Sequence, residues 1–169
     1  MKTLITTILI ASTPLSSISN VVNPFEPINE GVIRDMLTSK HVASTFKFAN
    51  KAEIVTFTKK YAKLLNLDPK MVLGILKQES QFCKYKLNTK SRDYGCMQVN
   101  AYTAKAYNFN LQSIKANEAY SILAGLIILK DLRKHKIKTL KHKWPCAYNI
   151  GNKYLPKTCD VYLAKIAYQ

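Results

Sequence analysis

Glu79 is the side chain in this sequence whose position asks most clearly for a chemical explanation. In the segment that opens at Pro69, the apolar residues Val72, Ile75, Leu76 and Phe82 recur at helical spacing. Glu79 falls seven positions after Val72 and four after Ile75, so it shares their face rather than the wet one. Burial disfavours the charged form of a carboxylate and raises its pKa. In the last turn of a helix the negative end of the macrodipole acts in the same direction. A carboxyl group that keeps its proton near neutral pH is equipped to be a general acid. The same residues also allow a boundary Glu whose head reaches solvent or a Lys such as Lys77. Periodicity alone leans slightly toward that plainer reading.

Three short runs change the weighting. Residues 79–82 read Glu79-Ser80-Gln81-Phe82, residues 93–100 read Asp93-Tyr94-Gly95-Cys96-Met97-Gln98-Val99-Asn100, and residues 147–151 read Ala147-Tyr148-Asn149-Ile150-Gly151. In this order and spacing they resemble the E-S-x-F, G-x-M-Q and A-Y-N-x-G motifs of lytic transglycosylases of the soluble type, the SLT domain. The Asp-Tyr-Gly before the second motif resembles the variant found in transglycosylases associated with secretion and conjugation systems. It is also similar to chicken-type lysozyme. The resemblance covers about residues 52–168, and three motifs in register are far more specific than any one.

Carried over residue by residue, the resemblance makes Glu79 the catalytic acid/base. Ser80 would orient it or the substrate's acetamido group, Met97 and Gln98 would line the floor of a glycan groove, and Tyr148 and Asn149 would bind sugar near the scissile bond. The residue types suit these roles: Tyr and Asn offer a flat face and a hydrogen bond to amphipathic sugar rings, and Gly95 and Gly151 let backbone approach closely. On their own, Tyr148 reads as a core aromatic and Asn149 as a turn residue. Cys96 departs from the family, which usually has an aliphatic residue there.

Asp93 separates two chemistries. Glycosidases generally use two carboxylates, about 5–5.5 Å apart when retaining and about 6.5–9.5 Å when inverting. Lytic transglycosylases resemble them but manage with one, which protonates the glycosidic oxygen and then deprotonates the muramic acid C6 hydroxyl to close a 1,6-anhydro ring. Asp93 across the groove from Glu79 would instead support a lysozyme-type hydrolysis. Because Asp before Tyr94-Gly95 is an ordinary turn former, the expectation is transglycosylation at the MurNAc–GlcNAc β-1,4 bond of peptidoglycan.

The elements that must hold these residues are helical. Residues 52–66 carry Ile54, Phe57, Tyr61, Leu64 and Leu65 at helical spacing, and Asp68-Pro69 is a start signal for a helix running to about Phe82. A polar stretch from Lys84 to Tyr94 predicts a small hairpin or irregular loop. Asn100 caps a short helix over 101–107, a long helix spans about 117–135 with a centre apolar nearly all round, and a last helix covers about 160–168. Residues 31–48 are ambiguous, with a short helix the simplest choice. The class expected is mainly α (α+β), a lysozyme-like domain with a small β or irregular segment around residues 86–99.

Length and composition agree. The 169 residues are one domain's worth, 47% are hydrophobic, and the longest apolar run, Ile122 to Leu129, is far short of a membrane-spanning helix. The start, MKTLITTILIASTPLSSISN, has the order of features of a secretory signal peptide. The expected layout is residues 1–19 as signal peptide, 20–50 as lead-in and 51–169 as the lysozyme-like domain, exported to the periplasm or beyond as a monomer. Four cysteines, Cys83, Cys96, Cys146 and Cys159, fit two disulfides in an exported chain, the two short loops being the simplest of three pairings. Neither their spacing nor that of the histidines suggests a metal site, and no cofactor is expected.

A net charge of +16 and a pI near 9.7 favour polyanionic partners. Much of the charge lies in the run from Lys130 to Lys143, where nine of fourteen residues are Lys, Arg or His. A solvated helix end is its usual meaning; adhesion to an anionic wall is the functional one. Nucleic acid is disfavoured, since no binding motif accompanies the charge and the start reads as export. Direct membrane disruption, or a silent cationic glycan-binding protein on the same fold, remains as the non-enzymatic alternative. A secretion or conjugation apparatus, a phage particle or general wall turnover could each employ such an enzyme.

Overall fold

A computed structural model of the chain describes residues 28–150 and 156–167. The expected signal peptide, the first part of the lead-in and Gly151 lie outside the described residues. Short polar side chains start the helices. Asn29 caps α1 (Glu30–Thr38), Asn50 caps α2 (Lys51–Leu64) and Asp68 caps α3 (Pro69–Ser80), each side chain accepting from a backbone N–H of the first turn. Three two-residue strands follow, β1 (Leu87–Asn88), β2 (Asp93–Tyr94) and β3 (Val99–Asn100), in an antiparallel sheet of that order. Asn100 caps α4 (Ala101–Ala106), Asn110 caps α5 (Leu111–Ala116), and Asn117 caps α6 (Glu118–Leu140). A 3-10 turn over Lys141–Lys143 leads to α7 (Cys146–Ile150) and α8 (Pro156–Ala167).

The domain is therefore mainly helical with one small sheet, as expected. Along α6, every side chain from Tyr120 to Leu129 is buried, and Phe57, Tyr61, Leu76, Ile122 and Leu126 form the centre of the core around it. The same helix runs five residues past the expected end at His135. Its last turns are Lys-rich: lysine is a good helix former, and positive charge near a C-terminus complements the dipole. Conversely α3 stops at Ser80, two residues early, because Gln81 takes a left-handed conformation (φ 51°). The short helices α5 and α7 fall outside the expected elements: five or six residues carry too little periodicity to register, and the equally short α4 is legible only through its Asn100 cap.

Two polar junctions fix the lead-in. Arg34 of α1 forks onto Asp131 of α6 at 2.8 and 3.2 Å, and Glu30 pairs with both Arg34 and Lys130. Glu118, buried at the start of α6, accepts from the Phe48 N–H and from Lys86 Nζ, each at 2.8 Å, and so ties the segment before α2 to the strand side of the molecule. Among the described residues no helix is long and apolar enough to cross a membrane.

Candidate active site

The last turn of α3 delivers Glu79 into a cleft of about 510 Å³ between the small sheet and the helices. Its partner is no lysine but Tyr162 on α8, whose hydroxyl donates to Glu79 Oε1 at 2.9 Å. Burial pushes the Glu79 carboxyl up to about 7; the negative charge of Asp93 adds to the rise, and the Tyr162 hydrogen bond opposes it. Half-protonated near neutrality, the group can give a proton and take one back. The close approach of α3 and α8 that permits this contact depends on Gly74. A Cβ there would sit 2.1 Å from the Ile166 carbonyl oxygen, one turn beyond Tyr162 on α8.

Immediately after Ser80 the chain turns through three non-glycine residues with positive φ, Gln81 (51°), Phe82 (58°) and Cys83 (66°). L-residues enter this region at a cost of order 1 kcal/mol each, so the surroundings must hold the turn. Ser80 helps: its buried hydroxyl accepts from the Cys83 N–H at 2.9 Å and donates to the Leu76 carbonyl at 3.3 Å. The structure thus places Ser80 behind the cleft surface, where it shapes the turn that carries Glu79. The Cys83–Cys96 disulfide then joins this turn to the second motif.

In that second motif Gly95 (φ 74°) has no room for a side chain, since a Cβ would lie 2.5 Å from that of Ser121. Met97 is fully buried over Gly125 of α6 and is absent from the cleft lining; it supports the floor from beneath. Gln98 does line the cleft, its amide donating to the Gly95 carbonyl at 2.9 Å. Asp93 lines it as well and accepts from Asn100 Nδ2 at 2.8 Å, its opposite number across β2 and β3. Replacing Cys83 and Cys96 together with alanine is expected to cost about 3 kcal/mol in denaturant unfolding, the value for a closed loop of this length. A larger proportional loss of turnover than of folded protein would mark the disulfide as holding Glu79 and Gln98 in register.

Opposite them, α7 contributes Tyr148 and Asn149. The Tyr148 hydroxyl donates to the Met97 carbonyl at 2.7 Å, burial raises its phenol well above the ordinary range, and Asn149 stands exposed at the cleft wall. The Cys146–Cys159 disulfide ties α7 to α8 three residues before Tyr162, so each disulfide anchors one wall of the site. Both follow the short-loop pairing. The far end of the cleft is formed by Thr103 and Tyr107 near α4 and by Ile128 and Leu132 of α6. None of these four, nor Tyr162, stands out in the sequence. Tyr162 is one of ten tyrosines and lies on a helix with no other motif.

A family model described as the transglycosylase SLT domain matches residues 56–162, well over half of the chain. The chain belongs to the transglycosylase SLT domain family. The match runs from within α2 to Tyr162 itself and so takes in Glu79, Asp93, Gln98, Tyr148 and Asn149. No curated protein and no solved structure gives a significant match. Membership in the SLT family makes this a glycosidic-bond-cleaving type of enzyme directed at peptidoglycan, on a mainly α fold of the lysozyme-like kind.

Proposed function

We propose that the protein is a peptidoglycan lytic transglycosylase that cleaves the MurNAc–GlcNAc β-1,4 bond with Glu79 as the one acid/base. The observation that carries this reading is that Glu79, one of two carboxyl groups in the cleft, is raised to about 7 by burial, hydrogen-bonded by Tyr162 and flanked by Gln98, Tyr148 and Asn149. Protonated Glu79 gives its proton to the glycosidic oxygen as the bond to muramic acid C1 breaks. The Glu79 carboxylate then takes the proton from the C6 hydroxyl, whose oxygen bonds to C1 and closes the 1,6-anhydro ring. The acid is regenerated and no water is consumed. Tyr148 and Asn149 hold the saccharide, the substrate's acetamido group stabilises the charge developing at C1, and Gln98 bounds the groove. Export supplies access to the wall, and the two disulfides suit an oxidising compartment.

A second reading, hydrolysis by Glu79 and Asp93, draws on the presence of Asp93 in the same cleft. The hydrogen bond from Asn100 pins Asp93 to the sheet and fits either chemistry, so the products decide. Mass spectrometry of muropeptides released from purified peptidoglycan tests the choice. The wild type and Asp93→Asn should both release anhydro-muramyl ends, with less than about a tenfold difference in rate, since Asp93 has no proton to move in this scheme. Ordinary reducing ends that vanish in Asp93→Asn would overturn the transglycosylase reading in favour of the hydrolase.

A further inference from the structure

A second groove, of about 880 Å³, lies at the other end of α3 from Glu79. Asp68, on its edge, and Glu79 are eleven residues apart, about 16 Å along a helix. The groove's floor is apolar: Met71 from α3, Trp144 and Pro145 before α7, and Leu163 and Ile166 from α8. Its rim is cationic, with Lys70 on α3, Arg133 on α6, and Lys141 and His142 in the 3-10 turn. The one carboxylate in the lining, Asp68, accepts from the Lys70 backbone N–H as the cap of α3. Arg133 spends a donor on the Asn66 carbonyl, and among the described residues no carboxylate pairs with Lys70, Lys141 or His142. This is where part of the basic run, unused by the catalytic cleft, meets an apolar surface.

We infer that this groove binds the carboxylate-bearing peptide stems of peptidoglycan, giving the enzyme a hold on the wall that is separate from its glycan cleft. The inference rests on the peptidoglycan substrate proposed above. Charge complementarity points to an anion with apolar parts, and a stem peptide offers carboxylates alternating with methyl groups. The volume lies in the range that encloses a ligand of several hundred daltons, which fits a tri- or tetrapeptide. The roughly 16 Å along α3 exceeds the roughly 13 Å of an extended tetrapeptide, so the stem that fills the groove belongs to a strand beside the one held in the cleft. Most of the floor is recessed, with Trp144 8% and Ile166 4% exposed, and of the large apolar side chains in the lining Ile137 of α6 is the exposed one, at 41%; docking on a lipid surface needs several that protrude.

The test uses the full chain with Glu79→Gln, titrated with sugar-free stem tetrapeptide and followed by methyl NMR. Saturable shifts are expected at Met71, Ile137 and Leu163 of the groove, with Ile128 and Leu132 of the cleft unmoved. The double charge reversal Arg133→Glu with Lys141→Glu should weaken binding at least about tenfold, and the milder Lys141→Gln should give a smaller loss in a chain of unchanged circular dichroism. Shifts confined to the cleft, no saturation by about 10 mM peptide, or equal affinity in the reversed variant would overturn the inference. Tighter binding to phosphatidylglycerol vesicles than to the tetrapeptide, lost in the same variant, would overturn it in favour of a lipid. Cleavage of peptide-free glycan strands depends on the Glu79 cleft alone. The charge-reversed enzyme with Glu79 intact should cleave them as the wild type does; failure of the wild type to cleave them would count against the transglycosylase reading and leave the groove to be decided by the titration.

Discussion

Glu79→Gln is expected to abolish wall cleavage while making the protein harder to unfold above neutral pH. General acid–base catalysis contributes about 10²–10⁴-fold, and in the scheme proposed one carboxyl group performs both proton transfers, so the loss should lie at the upper end. The stability effect follows from the direction of the pKa shift. In the unfolded chain the carboxyl has its ordinary value of 4.5; in the cleft it rises to about 7. Between those values the folded state binds more protons than the unfolded state, so stability falls as pH rises from about 4.5 to about 7 and stays reduced above. A glutamine has no charge to bury and can still accept from Tyr162. The full shift corresponds to about 3 kcal/mol, an upper bound for a carboxyl still partly open to solvent, so the variant should gain about 1–3 kcal/mol at pH 8, roughly 3–9 °C in melting temperature, and nothing at pH 4. Melting curves at the two pH values check this. A difference that is the same at both, or wall cleavage that survives, would contradict the role assigned to Glu79.

Gly74→Ala should damage both stability and the pH dependence of activity. In most helix interiors this change is favourable by up to about 1 kcal/mol. Here the added Cβ meets backbone, 2.1 Å from the Ile166 oxygen and 2.9 Å from its carbonyl carbon, so α8 has to shift as a body. Overpacking of this kind costs about 1–3 kcal/mol, and a clash with backbone belongs to the upper part of that range, so the net effect is a loss. Tyr162 lies one turn from Ile166 and moves with it. Losing its hydrogen bond removes the influence that lowers the Glu79 pKa. The alkaline limb of the pH–rate profile, which reports loss of the catalytic proton, should then move to higher pH. Tyr162→Phe should shift that limb in the same direction without forcing the helices apart. A Gly74→Ala enzyme with wild-type melting and an unmoved profile would show that the α3–α8 contact does not tune Glu79.

Where an element rests on local chemistry, it can be read from a few neighbouring residues. Asp68-Pro69 starts α3, Asn100 starts α4, and the apolar centre of α6 is buried on every side. The face on which Glu79 lies follows from its offset from Val72 and Ile75, and the structure puts it in the cleft with the raised pKa that burial implies. Asp93, Gln98, Tyr148 and Asn149 also converge on that cleft. Ser80 and Met97 belong to the same motifs but turn inward, one to hold the strained turn after α3 and the other to cover Gly125. A motif records that residues occur together; it does not record which side of the surface each one faces.

What the sequence by itself determined is the helical class, the caps at Asp68 and Asn100 and the helix face that Glu79 shares with Val72 and Ile75, because each depends on side chains within about two turns of one another; the order of the motifs is read directly from the chain. The tertiary structure alone decided that Tyr162, 83 residues further on, meets Glu79, that the cysteines pair in the two short loops, and that the basic run ends beside an apolar groove. Those outcomes depend on how α3, α6 and α8 cross, and the crossing is set by close packing at points such as Gly74 and Gly125, where the absence of a side chain matters only once the opposing backbone or side chain has arrived.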